Sequence, residues 1–294
     1  MAIGKDMVTV VVPTFNEEKA IGMVLDEVRA AGYKNVLVVD GYSVDGTVKI
    51  AESRGVQVVQ QNGRGKTGAI RTAVDYVKTP YLLVMDGDYT YCAKDIERLL
   101  NHGDRYVHVV GVRERDNMTR VHRFGNWMIT STFNFLLGAG VSDVCSGMYL
   151  LRTDMARELE LKSKGFRTEV EVVAQTVLED SVTEVPVGYR PRVGKRKLST
   201  WRNGFEILAA ILGLARRYNP VLLFSAIAAL SIFPASLILG WVGMQLLLFG
   251  VFHNWWAMLG LLLLLLASQA LAVSTVSILL KRSERRIMQA LRKE

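Results

Sequence analysis

Between Arg217 and Lys281 the chain carries no Asp, Glu, Lys or Arg, an uncharged run of 63 residues in a protein of 294. Asn219–Pro220 leads into an apolar stretch that continues to about Phe249. His253, Asn254, Trp255 and Trp256 interrupt it, and a second stretch runs from Ala257 to Leu280. Each exceeds the ~20 residues that a bilayer-crossing helix needs, and adjacent tryptophans at a break suit the membrane–water interface. The 36 basic and 28 acidic residues all lie in the rest of the chain, which reads as a globular domain of roughly 200 residues, large enough to bury its own core. This division excludes a uniformly soluble protein and a polytopic transporter. It predicts a globular domain over residues 1–200, an amphipathic helix over 201–217, two transmembrane helices over 218–280 and a basic tail over 281–294.

The net charge of +8 is placed where it bears on topology. Gly188 to Arg217 carries +7 and Lys281 to Glu294 carries +4, whereas residues 1–187 carry −3. Basic residues flank both outer ends of the uncharged run and none lies in its turn, so both ends are expected on the cytoplasmic side of a cell membrane. A folded domain that is itself not basic argues against nucleic-acid binding, which needs a positive face. Trp201 to Arg217 combines an apolar face (Phe205, Ile207, Leu208, Ile211, Leu212) with basic ends. Such a helix either lies in the interface plane or packs on the globular domain. Cys92 and Cys145 form no CxxC pair and are read as reduced thiols of a cytosolic compartment. The N-terminal MAIGKDMVTVVVP leads straight into a strand pattern and predicts no signal peptide.

Within the globular part, apolar runs alternate with helical spacing. Val8–Val12, Val36–Val39, Val56–Val59 and Tyr81–Met85 read as buried strands. Helices are expected over Glu17–Ala31, after Thr47, and over Gly68–Val77. This alternation predicts a parallel sheet with helices on both faces, and ligands then bind beyond the carboxyl ends of the strands. Pro13–Glu17, Asp40–Thr47 and Asp86–Thr90 all fall there. Further along, Val107–Val112 and Thr183–Val187 read as strands, and Arg120–Leu137 and Glu169–Leu178 as helices, the first of them unusually apolar.

Asp86–Gly87–Asp88 carries the strongest chemical signal. Two carboxylates two residues apart on an extended segment share one side, and the intervening Gly lets the backbone bend so that both reach one site. Hard oxygen ligands at a strand end suit Mg²⁺ or Mn²⁺, which in turn bind a substrate diphosphate. Asp40, Asp45 and the segment Pro13–Glu18 lie on neighbouring strand ends, where capping and turn formation are the alternative reading. Gly63–Arg64–Gly65–Lys66–Thr67–Gly68 lacks the spacing of a phosphate-binding P-loop and reads as a turn that brings Lys66 towards a ligand.

The segments VVVPTFNEE, VVDGYSVDGT, GRGKTGAIRTAV, VMDGDYTY and DVCSGMYLLR, in this order, resemble the GT-A family 2 glycosyltransferases. With the trailing apolar spans, the chain is similar to the dolichyl-phosphate mannose synthase-like branch, which makes polyprenyl-phosphate sugars. The resemblance covers about residues 7–200 and implies an α/β, Rossmann-like, mostly parallel GT-A domain followed by a transmembrane hairpin. It implies that Pro13, Phe15 and Glu17 line the nucleoside pocket with Asp40 against the base, and that Asp86 and Asp88 hold the metal and the diphosphate. Arg113 would meet the acceptor phosphate, with Arg120, Arg123 and Asn126 in an acceptor helix. Arg192, Lys195 and Lys197 would belong to a basic loop over the donor phosphates, and Glu171 would match a family carboxylate. Gly41 stands where the family commonly has a second Asp, Thr90 where it often has a Gln, and His122 where the acceptor helix has a Ser.

The expected reaction is metal-dependent, inverting transfer of a sugar from a nucleotide sugar to a polyprenyl or dolichyl phosphate, with a UDP-sugar favoured over GDP-mannose. The partners implied are the nucleotide sugar, the lipid phosphate and the bilayer. The two spans leave helix surface on which a homo-oligomer is possible. A processive polysaccharide synthase would carry a QxxRW motif, and the chain has only Trp201 and Arg202 there. A non-catalytic membrane-anchored module would not need the paired carboxylates and a basic loop.

Overall fold

The computed structural model describes residues 3–114, 116–161, 168–177, 181–194 and 200–291. The chain divides into two units, Met1–Ile211 and Leu212–Glu294. The first unit is a mixed α/β domain. Its first half alternates as read from the sequence: β1 (Val8–Thr14), α1 (Ile21–Ala30), β2 (Val36–Asp40), α2 (Thr47–Ser53), β3 (Gln57–Gln60), α3 (Gly65–Tyr76) and β4 (Tyr81–Val84). The second half adds α4 (Ile96–Leu100), β5 (His108–Arg113), α5 (Arg120–Leu137), β6 (Tyr149–Arg152), α6 (Thr153–Glu158), α7 (Thr168–Thr176) and β7 (Val182–Val187). Then follow α8 (Thr200–Tyr218), α9 (Pro220–Phe249) and α10 (Asn254–Leu291).

The seven strands form one sheet in the order β3-β2-β1-β4-β6-β5-β7. β1 pairs in parallel with both β2 and β4, and β5 with β7. β6 runs antiparallel between β4 and β5. The sequence reading does not place β6: four residues with Tyr149, Leu150 and Leu151 buried give too short an apolar run to separate strand from helix.

Residue parity divides the core. Val8, Val10 and Val12 pack with Val24, Leu25 and Val28 of α1 on one face. Val11 packs with Ala69, Ile70 and Ala73 of α3 on the other. A strand buried on both faces reads as continuous hydrophobicity, which is why β1 and β2 are β-branched runs. Because β2 and β4 lie on opposite sides of β1, the chain changes winding direction there, and the carboxyl ends of β1 and β4 open a crevice.

In the second unit α9 and α10 pair as two helices long and apolar enough to cross a membrane, the qualifying spans being Pro220–Phe249 and Asn254–Leu280. Pro220 opens α9 at a position where no backbone N–H is needed, and the Asn219 side chain accepts from Leu222 N at 3.4 Å. Gly250 ends it with φ +69, a conformation glycine adopts without steric cost. Trp255 and Trp256 lie in the first turn of α10 rather than in the break itself. The Trp241 and His253 rings stack with centroids 4.8 Å apart.

Candidate active site

Among the described residues, three that are not glycine have positive φ: Asn16 (50°), Tyr42 (66°) and Tyr89 (65°). They follow β1, β2 and β4, at the same edge of the sheet. Each such residue costs about 1–2 kcal/mol, and strain of this kind gathers where a site needs it. Asn16 is held by its Oδ1 accepting from Val44 N at 2.9 Å and its N donating to Ser43 Oγ at 2.8 Å. Tyr42 Oη donates to the Gln61 carbonyl at 3.1 Å. The Arg190 guanidinium lies 4.3 Å from the centre of the Tyr89 ring.

Inside this rim sits a cluster of alternating charge. Lys66, at the start of α3, places Nζ 2.5 Å from Asp86 Oδ1 and 2.5 Å from Glu169 Oε1 of α7. Asp88 Oδ2 accepts from Arg192 Nη1 at 2.8 Å. Its Oδ1 accepts from Thr90 Oγ1 at 2.6 Å and Thr90 N at 3.1 Å. Arg192 Nη2 donates to Glu17 Oε1. Glu17, Asp88 and Glu169 are buried. Burial raises the Asp88 carboxyl above its ordinary range, and the neighbouring Asp86 carboxylate adds to this against Thr90 and Arg192. Burial likewise raises Glu169, against the opposing pull of Lys66. Two carboxylates crowded into a site of low dielectric attract cations, and here a lysine and an arginine each sit on one of them.

The floor beneath Asp86 is Gly147. A Cβ there would lie 2.0 Å from Asp86 Oδ2, so any other residue would push that carboxylate out of place. Gly147 N donates to the buried Tyr91 Oη at 2.7 Å, and Tyr91 meets Tyr189 edge to face with centroids 5.6 Å apart. Behind Tyr189 lies a buried pair. Arg113 Nε and Nη2 donate to Asp143 Oδ2 and Oδ1 at 2.6 and 2.7 Å, and Asn126 Nδ2 donates to Asp143 Oδ1 at 3.1 Å. The Arg113 guanidinium also faces the Tyr189 ring at 5.4 Å.

The structure therefore brings Glu17, Lys66, Asp86, Asp88 and Arg192 together. Asp40 is fully buried beside them; it accepts from Ser43 Oγ at 2.5 Å and Ser43 N at 2.8 Å and so shapes the turn after β2. Pro13 is the sixth residue of β1, and Phe15, 48% exposed, follows that strand. Arg113 is in the Asp143 pair rather than the carboxylate cluster. Arg120 and Arg123 are exposed on the first turn of α5. Lys195 and Lys197 lie outside the described residues. Glu169, Asp143, Tyr91, Glu27 and Arg190 escape the sequence reading. The resemblance points to Glu171, whereas the carboxylate that reaches Lys66 is Glu169, two residues earlier and so on another face of α7.

Residues 9–160 match the sequence pattern of glycosyl transferase family 2. The chain is 36% identical over 231 residues to glycosyltransferase AglJ of Haloferax volcanii, covering 76% of each protein. It is 32% identical over 214 residues to a dolichyl-phosphate hexose transferase of the same organism, covering 70% of this chain and 93% of that one. Among solved structures it resembles glucosyl-3-phosphoglycerate synthase from Mycobacterium tuberculosis in complex with Mn²⁺, UDP and glucosyl-3-phosphoglycerate. The TM-score is 0.62 at 20% identity, over 71% of this chain and 80% of that one, a likeness of fold. The mostly parallel sheet is thus like that of GT-A structures. The chain belongs to glycosyl transferase family 2.

Proposed function

We propose that the protein transfers a hexose, with inversion, from a UDP-sugar to a polyprenyl or dolichyl phosphate at the cytoplasmic face of a membrane. The observation that carries this reading is the Asp86–Asp88 pair at the crevice with Lys66 and Arg192 on its oxygens. Such a set exchanges partners when a diphosphate and its cation arrive. The dolichyl-phosphate hexose transferase relative supports a lipid-phosphate acceptor, and the UDP-bound fold neighbour supports a uridine donor.

Asp86 and Asp88 fit Mg²⁺ or Mn²⁺, which takes one or two carboxylates and completes its shell with substrate phosphates and water. Among the described residues no three-carboxylate or histidine cage stands ready, and none is needed for a metal bound in this way. The ion would neutralise charge on the departing diphosphate. Lys66 and Arg192 donate to the same phosphates from the protein side. Arginine suits this because its planar fork binds phosphate bidentately. A lipid monophosphate is already ionised near pH 7, its second pKa being about 6, so no strong general base is required. Its oxygen bonds to the anomeric carbon from the face opposite the diphosphate, and the bond to the diphosphate breaks. The protein's share is positioning and charge stabilisation.

Membranes containing the protein, supplied with polyprenyl phosphate, Mn²⁺ and radiolabelled UDP-glucose, UDP-GlcNAc or GDP-mannose in turn, test this. Label should enter the lipid fraction from a UDP-sugar. It should be lost with EDTA, and Asp88→Asn should reduce it by about a hundredfold or more, as when one preorganised electrostatic group is removed. Label from GDP-mannose alone would replace the donor, and label in a water-soluble polymer would replace the acceptor. No incorporation from any donor would overturn the proposal.

A further inference from the structure

The segment after β7 holds a second arginine, Arg190, with a set of contacts of its own. Residues 188–193 run antiparallel to residues 88–95, the segment that begins at Asp88. Gly188 N donates to Asp95 Oδ2 at 2.8 Å, Tyr189 bridges antiparallel to Tyr91, Arg190 N donates to the Thr90 carbonyl at 2.8 Å and Val193 N to the Asp88 carbonyl at 3.2 Å. Within that strip, Arg190 Nη2 donates to Glu27 Oε1 at 2.7 Å and Oε2 at 3.0 Å, and to Cys92 Sγ at 2.6 Å. Glu27, on α1, also accepts from Ala93 N at 3.3 Å. Burial opposes charge on Glu27, but Arg190 and Cys92 outweigh it, so the carboxyl lies below its ordinary range and the pair is ionised at neutral pH. The same guanidinium covers the ring of Tyr89, the positive-φ residue directly after Asp88.

Arg190 thus ties together three things: α1, the residue after Asp88, and the segment that carries Arg192. Arg192 is two residues further on and reaches both Asp88 and Glu17. Arg190 and Glu27 are each 27% exposed, and pairs this open to water add little to global stability. Their cost in ordered side chains is better explained by the local geometry they hold.

We propose that Arg190, gripped by Glu27 and seated on Tyr89, is a positioning residue for the donor diphosphate, holding residues 188–193 along residues 88–95 so that Arg192 is delivered to Asp88 and the phosphates. This rests on the reading of the crevice as a nucleotide-sugar site. Arg190 itself touches no reacting atom.

The test uses the full-length protein in detergent, with UDP and GDP in the presence of Mn²⁺ as probes for calorimetry, and donor titrations for kinetics. Arg190→Ala should weaken nucleotide binding and raise the donor KM by about tenfold, with kcat changed far less and the melting temperature retained. Arg190→Lys keeps the charge but loses the fork and the stacking plane, so it should fall between Ala and the parent. Glu27→Gln should act in the same direction as Arg190→Ala, and the double variant should be no worse than Arg190→Ala alone, because both remove one contact. Unchanged nucleotide affinity in Arg190→Ala would overturn the proposal. So would a loss of kcat and melting temperature at constant KM, or losses that multiply in the double variant. A parent protein that binds nucleotide but glycosylates no lipid phosphate would overturn the proposed reaction and leave this series decisive for Arg190. A parent that binds neither nucleotide would overturn both.

Discussion

Arg113 is the residue whose surroundings most alter what a substitution should do. Its resemblance-based role is contact with the acceptor phosphate, yet Asp143 receives two of its nitrogens in a pair that is 7% and 3% exposed. Removing one partner of a buried pair leaves an uncompensated charge, at about 3–5 kcal/mol. Arg113→Ala should therefore lower the melting temperature as well as activity. Burial by itself would raise the Asp143 carboxyl, but the Arg113 guanidinium more than offsets this and holds it below the ordinary range. A depressed carboxyl contributes stability that is full above the unfolded value of about 4 and is lost as pH falls through the folded value. His108, pushed down to about 3 by burial, adds a loss that starts as pH falls below about 6.5, the unfolded value, and continues towards the folded one. Melting curves from pH 7 to pH 3 should thus show a decline in two parts. Asp143→Asn should start lower at pH 7 and lack only the part below about pH 4. A parallel curve would remove the ion pair from the account.

Among the elements, α5 stands out for what it leaves outside. Val121, Phe124, Trp127 and Phe135 are each more than half exposed, while Ile129, Phe133, Leu136 and Leu137 are buried. Thr119 caps its N-terminus by accepting from His122 N at 3.3 Å, and Gly138 closes it with φ +67. A helix with one apolar face in the core, a second apolar face in the open and arginines at its start has the character of a membrane-surface helix. On the proposed reading, in which the acceptor is a lipid phosphate, this surface is the one expected to meet the headgroups. Phe124→Ser with Trp127→Ser should raise the KM for polyprenyl phosphate several-fold in vesicles and leave UDP affinity unchanged. A short water-soluble phosphate acceptor should show no difference between parent and variant. Equal losses with both acceptors would assign these side chains to the fold of the domain instead. Along α8, Ile207, Ile211, Leu214 and Ala215 are buried, whereas Leu212 is 48% exposed.

At the scale of the whole molecule, the basic flanks of residues 218–280 and the turn without Lys or Arg favour a hairpin with both ends in the cytoplasm. α9 and α10 suit this: each is long enough to cross, and Ser225 and Ser274 share a hydrogen bond at 3.0 Å between them. With Cys92 and Cys145 replaced, a single cysteine at Asn254 should react with an impermeant maleimide only from outside, and one at Lys293 only after the membrane is opened. Reaction of both from one side would require an odd number of crossings, and with it a different placement of the active site relative to nucleotide-sugar supply.

The amino-acid sequence by itself determined the division into a charged domain and an uncharged hairpin, the parallel half of the sheet, and the strand-end position of Asp86 and Asp88. These follow from composition and period, which are local: Val8–Val12 is a continuous β-branched run that suits burial on both faces, and α5 spans the Arg120–Leu137 that its apolar spacing marks out. The tertiary structure alone decided which charges meet. Lys66 and Glu169 are 103 positions apart, and Arg192 and Asp88 are 104 positions apart. Arg113 is turned to Asp143 by the antiparallel β6, which periodicity could not resolve. Pairing across such separations depends on strand order and on the winding reversal at β1 and β4, and neither leaves a pattern in neighbouring residues. Glu169 and Glu171 are the same residue type two positions apart, and only the rotation of α7 against the sheet places one of them against Lys66.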